Sequence, residues 1–164
     1  TFQQTRIYSK MDCVDNMQIS VSQRKGSSST MFASRSGEIR DRAEHLLEFV
    51  GLYSKRSLIS GDLSFGQQKL LEFAMALMND PKVLLLDEPT AGINPTLING
   101  LIDRLRRANE ELGITLCVIE HNMRVIMNLA SNIYCLSNGK MLASGKPEDL
   151  QNDPRVIDAY LGGH

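Results

Sequence analysis

The chain has 164 residues, a length that suits one ordinary domain or a large part of one and allows a hydrophobic core. Its hydrophobic fraction of 42% and charged fraction of 23% are typical of globular proteins. The formal net charge of −1 argues against broad electrostatic binding to nucleic acid or to an anionic membrane. No apolar run is long enough to predict a membrane-spanning helix.

The first half of the chain predicts helices joined by a serine-rich connection. A short helix is expected around Val14–Val21, and the composition of Ser22–Gly37 favours a flexible connection over a second domain. The next helix ends at a glycine C-cap, Gly51, and carries its apolar residues on one face: Ile39, Ala43, Leu46, Leu47 and Val50. The helix that covers residues 70–78 is apolar nearly all round, so it is predicted to be deeply buried.

Four consecutive large apolar residues, Val83 to Leu86, predict a strand that is buried on both faces, as in a parallel sheet covered by helices. Asp87 and Glu88 follow at the carboxyl end of this strand, the edge where open α/β sheets bind ligands. Asp87 can hold the water shell of Mg²⁺, and Glu88 can polarise an attacking water molecule. A buried strand followed by two solvated carboxylates that bind no ligand would show the same sequence.

A second polar pair is expected at the same edge. A helix that starts at Asn94 separates the first strand from another apolar run, Ile114–Ile119. A strand, a helix and a strand of these lengths predict a right-handed βαβ unit with a parallel strand pair. Glu120 and His121 follow the second strand, so they should emerge beside the first two carboxylates.

The last third of the chain predicts a helix, a β-hairpin and two short helices. The helix covers about Asn122–Ala130, and Asn138-Gly139 between two β-rich runs is a strong hairpin signal. Pro147 and Pro154 stand at the expected starts of the two short helices.

The three cysteines are widely spaced, and no Cys/His group has metal-ligand spacing. Cys117 and Cys135 lie in strand-like runs, so reduced, buried thiols are expected.

Taken together, these stretches resemble the ATP-binding cassette (ABC) ATPases over nearly the whole chain. The matching motifs are the Q-loop at Gln3, the signature sequence at Leu63–Gln67, the Walker B strand at Val83–Glu88, the D-loop at Ala91–Asn94 and the switch histidine His121. The resemblance implies an α/β fold of the P-loop NTPase (RecA-like) class, with a mostly parallel sheet and a helical subdomain. The helical subdomain would cover about residues 5–80, and the C-terminal part of the core about 81–164.

The resemblance also implies a role for each motif, with ATP and Mg²⁺ as the bound groups. Asp87 would be the magnesium-site acid and Glu88 the general base, while His121 would contact the γ-phosphate. Gln3 would meet the magnesium ion and the attacking water. Further nucleotide contacts would come from the signature sequence and the D-loop: Ser64, Phe65, Gly66, Gln67 and Asn94.

Physical chemistry agrees with the role of the signature sequence. Ser64 and Gly66 stand at the start of a buried helix, whose amide groups and dipole attract phosphate. A glycine also lets the backbone approach phosphate oxygens closely. An N-capped helix without a ligand would show the same four residues, 64–67.

Within the family, the chain is most similar to the importer ATPases of the branched-chain amino-acid type. Four stretches are similar to that group: residues 1–3, 65–68, 91–95 and the ending 153–162. Phe65, where glycine is commoner in the family, and Asn94, where aspartate is usual, are therefore interpreted as features of this subgroup. This resemblance implies a second ATPase subunit and two permease subunits as partners, at the cytoplasmic face of the inner membrane. Solute would arrive on an extracellular binding protein, and amino acids, amides and urea-like solutes stay open.

The P-loop motif Gly-x-x-x-x-Gly-Lys-Ser/Thr does not occur in these 164 residues. The resemblance is therefore to the C-terminal two thirds of the domain, N-terminally incomplete. The 164 residues by themselves are expected neither to bind ATP tightly nor to hydrolyse it, because P-loop amides and lysine are the main anchor for the phosphates. Two other interpretations stay open: a naturally truncated, non-enzymatic interaction module, and an ABC ATPase of a non-transport system.

Overall fold

The computed structural model describes residues 7–21 and 32–160, which form two compact units that divide between Ile119 and Glu120. The elements in chain order are α1 (Cys13–Ile19), α2 (Phe32–Phe49), α3 (Phe65–Leu77), β1 (Val83–Asp87), α4 (Pro95–Glu110), β2 (Thr115–Ile119), α5 (Met123–Leu129), β3 (Ile133–Ser137), β4 (Lys140–Gly145), α6 (Pro147–Leu150) and α7 (Pro154–Tyr160). Gln3 lies outside the described residues. None of the helices described has the length and apolar character needed to cross a membrane.

The first unit begins with three helices, α1, α2 and α3, that pack against one another. The predicted short helix is confirmed as α1. The predicted flexible connection is wrong for residues 32–37, which already belong to α2, and residues 22–31 lie outside the described part of the chain. Extending a helix adds about one hydrogen bond per residue once a first turn has formed, so weak helix formers can join the start of a longer amphipathic helix.

Two fully buried polar residues, Asn16 and Ser60, join α1 to the loop that precedes it and to the segment that begins at residue 60. Asn16 Nδ2 donates to the carbonyl oxygen of Asp12 at 2.9 Å and to Ser60 Oγ at 3.2 Å. Asn16 Oδ1 accepts from the N–H of Tyr8 at 2.7 Å, and Ser60 Oγ donates to the carbonyl of Tyr8 at 3.0 Å. Because each buried polar group has a partner, this cluster holds the Tyr8–Asp12 loop without an unsatisfied group.

The two strands of the first unit are parallel, with Val83 opposite Thr115 and Asp87 opposite Ile119. The predicted parallel pair is therefore confirmed. The prediction that β1 is buried on both faces is wrong, because Val83 is 56% exposed and Leu85 is 75% exposed. Helix α4 packs against β2, whereas no element within the described residues covers the face that carries Leu85.

Cys117, opposite Leu85 on β2, lies on this uncovered face and is exposed, so the expectation of a buried thiol is wrong there. Cys135, in contrast, is buried as expected.

The second unit has its own small core around an antiparallel hairpin of β3 and β4. The predicted Asn138-Gly139 turn is confirmed, with φ of 49° and 74° at its two residues. Buried side chains from the hairpin and from α6 and α7 form the core: Ile133, Cys135, Ala143, Leu150 and Val156. Asn122 caps α5, which begins and ends within one residue of the predicted bounds.

We expect Asn16→Ala to lower the free energy of unfolding by about 2–3 kcal/mol, since the change leaves several buried partners without a hydrogen bond. Urea unfolding followed by circular dichroism measures this loss. Asn109→Ala is the matched control, because Asn109 is exposed and makes one side-chain hydrogen bond, to the carbonyl of Ile114. An equal loss for both variants would contradict the role given to the buried cluster.

The cysteines offer a test of the uncovered sheet face. Burial raises the pKa of the Cys13 thiol to about 11, so on the order of one molecule in a thousand carries the thiolate at pH 8. We expect iodoacetamide at pH 8 to modify Cys117 well before Cys13 or Cys135 in the folded chain, and all three in denaturant. Mass spectrometry of peptides gives the order, and protection of Cys117 would mean that its sheet face is covered in solution.

Candidate functional site

The end of β1 places two carboxylates in different backbone settings. Asp87 is the last residue of the strand and is exposed. Glu88 is half-buried and has a φ of 46°, in the left-handed region that residues other than glycine seldom adopt. Its N–H donates to the carbonyl of Ile119 at 2.8 Å, and its own carbonyl accepts from the N–H of Ala91 at 3.0 Å. These two hydrogen bonds hold a conformation that costs on the order of 1–3 kcal/mol, and they fix the direction in which Glu88 leaves the sheet.

The donor set at this edge fits a magnesium ion that is held together with a phosphate. Mg²⁺ keeps several of its waters and takes one or two protein carboxylates plus phosphate oxygens. The exposed carboxylate of Asp87 meets that requirement. In the described residues no group of three His, Cys, Asp or Glu side chains forms an all-protein metal site. Bound there, the ion would offset negative charge on the phosphates.

The start of α3 is a capping box built from Ser64 and Gln67. Ser64 Oγ accepts from the N–H of Gln67 at 3.4 Å, and Gln67 Oε1 accepts from the N–H of Ser64 at 3.1 Å. The first amides of a helix, here those of Phe65 and Gly66, have no acceptor inside the helix. Together with the helix dipole, they make this end of the 13-residue α3 suited to an anionic group.

The loop after Glu88 leads to a second cap, at Asn94. Asn94 Oδ1 accepts from the N–H of Thr96 at 3.1 Å and from its hydroxyl at 2.9 Å, which confirms the predicted N-cap of α4. Thr90, between Glu88 and Asn94, is buried. The predicted D-loop is thus anchored by a buried residue at one end and a helix cap at the other.

Within the first unit, the structure brings the predicted signature sequence and the predicted D-loop into contact. The ring of Phe65 lies against Gly92, and Gly66 lies against the side chain of Leu97. Sequence reasoning missed this contact. No local pattern indicated it, because Phe65 and Gly92 lie 27 positions apart in the sequence.

A pocket of about 230 Å³ opens beside these contacts, between the start of α3 and α4. Arg104 lines it, but its guanidinium is engaged: Nε donates to the carbonyl of Val50 at 2.6 Å and Nη1 to that of Gly100 at 2.7 Å. The guanidinium therefore ties Val50, the residue after α2, to α4.

His121 belongs to the second unit, where it is exposed just before α5. Its N–H donates to Glu120 Oε2 at 3.2 Å, and the same oxygen accepts from the N–H of Asn122 at 3.3 Å. The carboxylate of Glu120 therefore stabilises the turn that presents the histidine.

Comparison with known proteins decides the family. Residues 1–91 of the chain match the family model described as ABC transporter. The chain belongs to the ABC transporter family. Its residues 140–164 also match the model described as "Branched-chain amino acid ATP-binding cassette transporter", in agreement with the resemblance seen in the sequence.

Curated relatives in this family carry matching names. The probable branched-chain amino acid transport ATP-binding protein LivG of Archaeoglobus fulgidus is 36% identical over 169 residues, which covers 99% of this chain and 64% of the relative. The high-affinity branched-chain amino acid transport ATP-binding protein BraF of Pseudomonas aeruginosa is 33% identical, with coverage of 99% and 66%. The chain therefore spans about two thirds of the length of these ABC family members.

Solved structures agree on the fold. The ADP conformation of MJ1267, an ATP-binding cassette of an ABC transporter, matches with a TM-score of 0.77 and 27% identity, over 99% of this chain and 67% of that one. The cbiO1 protein of Clostridium perfringens, part of the transporter complex cbiONQ, matches with a TM-score of 0.78 and 26% identity, over 95% and 60%. The predicted P-loop NTPase fold class is confirmed for this member of the ABC family.

We expect Ser64→Ala to lower the free energy of unfolding by about 1 kcal/mol, because it removes the side-chain acceptor of the α3 cap. Chemical denaturation measures the change, with Ser57→Ala as control because Ser57 is exposed in a loop. Equal stability of the Ser64→Ala variant and the parent chain would mean that the 3.4 Å bond to Gln67 contributes nothing to the cap.

Proposed function

We propose that this chain forms the signature-bearing and carboxylate-bearing part of an ATP-hydrolysing subunit that powers an ABC importer for amino acids or related small solutes. One observation carries the proposal: Glu88 leaves the carboxyl end of a parallel strand in a conformation that its bond to Ile119 holds. The names of the relatives support the solute class, since LivG and BraF are both named as branched-chain amino acid transport ATP-binding proteins.

In the proposed reaction each residue acts on a different part of MgATP and water. Asp87 would hold the water shell of a magnesium ion, and the family resemblance implies that Gln3 would meet the ion and the attacking water. Glu88 would accept a proton from that water as the water oxygen bonds to the γ-phosphorus, while the bond between the γ-phosphorus and the β,γ-bridging oxygen breaks and ADP and phosphate leave. His121 stabilises the charge that develops on the γ-phosphate.

The signature sequence acts on the nucleotide of a second ATPase subunit. Ser64, Phe65, Gly66 and Gln67 present the start of α3 to the phosphates bound by that subunit, where the first helix amides stabilise negative charge. Asn94 in the D-loop contributes to the same interface. The dimeric structure of the ATP-binding cassette MJ0796 bound to ADP and Pi, 26% identical to this chain, supports the pairing of two ATPase subunits.

We further propose that the working subunit has a helical subdomain at about residues 5–80 and a core part at about 81–164. Permease subunits would dock on this ATPase at the cytoplasmic face of the inner membrane, and an extracellular solute-binding protein would deliver the solute. The charge of −1 supports protein partners over nucleic acid.

The test uses an ATPase subunit that carries this sequence together with a P-loop. We expect Glu88→Gln to lower kcat for ATP by about 100-fold or more while MgATP binding persists, because the amide cannot accept a proton from water. Steady-state phosphate release gives kcat, and calorimetry gives MgATP affinity. Glu110→Gln, an exposed glutamate at the end of α4, should leave both unchanged.

Three results would contradict the proposal. Full turnover in Glu88→Gln would show that Glu88 is not the general base. A parent subunit that associates with a second ATPase but never hydrolyses ATP would favour the interaction-module interpretation. Turnover stimulated by DNA or ribosomes but not by permease subunits would favour a non-transport system.

A further inference from the structure

The contact between Phe65 and Gly92 is close enough that a side chain at residue 92 would displace the ring of Phe65. A Cβ placed on Gly92 would lie 2.9 Å from Cε1 of Phe65 and 3.5 Å from Cζ. Real Cβ atoms essentially never approach other atoms so closely, so one of the two residues would have to move. Gly92 also has a φ of 73°, which side chains disfavour. The backbone turn therefore favours glycine here, and the ring of Phe65 can keep its position only while residue 92 has no side chain.

A second contact lies one residue along α3. A Cβ placed on Gly66 would lie 3.1 Å from Cδ1 of Leu97 and 3.9 Å from Cγ2 of Ile93, which is buried. The first turn of α3 thus meets the segment 92–97 at two separate points. We call these contacts the seam, formed by Phe65 and Gly66 on one side and by Gly92, Ile93 and Leu97 on the other.

Both sides of the seam are held in place by their own hydrogen bonds. On the α3 side, the capping box of Ser64 and Gln67 fixes the first turn. On the other side, the N–H of Ile93 donates to the carbonyl of Thr90 at 3.1 Å, and Asn94 caps α4. A displacement on one side therefore reaches the other through packed groups and not through a flexible loop.

Burial by itself does not explain the ring of Phe65, because the residue is 40% exposed. Its ring lies 5.8 Å from the Lys69 ammonium, within the range of a cation–π contact. Tyr53 has a similar setting, 41% exposed with its ring 4.4 Å from the guanidinium of Arg56, but it does not belong to the seam. What distinguishes Phe65 is its contact with Gly92, which lies four residues after Glu88.

We propose that Phe65 is a positioning residue, whose ring holds the loop from Glu88 to Asn94 against the first turn of α3. This inference rests on the proposed function, since it links the loop of the proposed general base to the surface that serves a second nucleotide. Removal of the ring loosens the loop after Glu88. It thereby slows the chemical step without weakening the binding of MgATP by the P-loop.

The test combines a structural and a kinetic readout. In the 164-residue chain, NMR should give NOEs between the Phe65 ring protons and the Gly92 α-protons, retained in Phe65→Tyr. In Phe65→Leu the chemical shift of these α-protons should change as the ring current is lost. In the subunit with a P-loop, Phe65→Leu should lower kcat by about fivefold or more with KM for ATP within about twofold, the pattern of a lost transition-state contribution.

Two further variants sharpen the result. Phe65→Tyr should leave the chemical shift of the Gly92 α-protons close to that of the parent chain, because the ring that contacts Gly92 is retained. Tyr53→Leu removes an aromatic ring of equal exposure outside the seam and should leave the Gly92 resonances and kcat unchanged.

The two proposals fail in different ways. Absent NOEs between residues 65 and 92, or an unchanged kcat in Phe65→Leu, would overturn the positioning role of Phe65. A parent subunit with a P-loop that hydrolyses no ATP would overturn the proposed function, and in that case the NMR result still decides whether the ring holds the loop.

Discussion

The parallel pairing of β1 with β2 is the interaction on which the candidate chemistry depends. It brings Asp87 opposite Ile119 at the carboxyl ends of both strands. The ladder continues one residue further, because the N–H of Glu88 donates to the carbonyl of Ile119. Without that bond, a glutamate with a positive φ would relax to a commoner conformation and its carboxylate would point elsewhere. The sheet thus fixes both where the carboxylates stand and how the second one leaves the strand.

The loop after Glu88 connects β1 to α4. It passes through the buried Thr90, turns at Gly92 and ends at the cap that Asn94 provides for α4. The seam then ties the loop to the first turn of α3. The loop after Glu88, with its proposed role in water activation, therefore contacts the start of α3, which is proposed to contact a second nucleotide.

A separate polar network supports α3 from its other side. Gln68 Nε2 donates to the carbonyl oxygens of Ser60 and Leu63, both at 3.3 Å, and Ser60 bonds to the buried Asn16. A continuous set of hydrogen bonds therefore runs from the Tyr8 loop to the first two turns of α3. Asn16 and Ser60 are fully buried, so the loss of either side chain would leave buried partners that cannot reach water.

The sequence by itself determined the features that depend on local chemistry. Residue type and spacing over a few positions predict the caps at Ser64 and Asn94, the hairpin turn at Asn138-Gly139 and the two strands. The length of the connection between the two strands predicts that they are parallel. Only the tertiary structure decided which sheet face is covered, since four apolar residues in a row cannot report whether a helix lies on both sides. The same holds for the contact between Phe65 and Gly92, because a ring and the glycine that accommodates it lie 27 positions apart and meet only when α3 packs against the loop after β1.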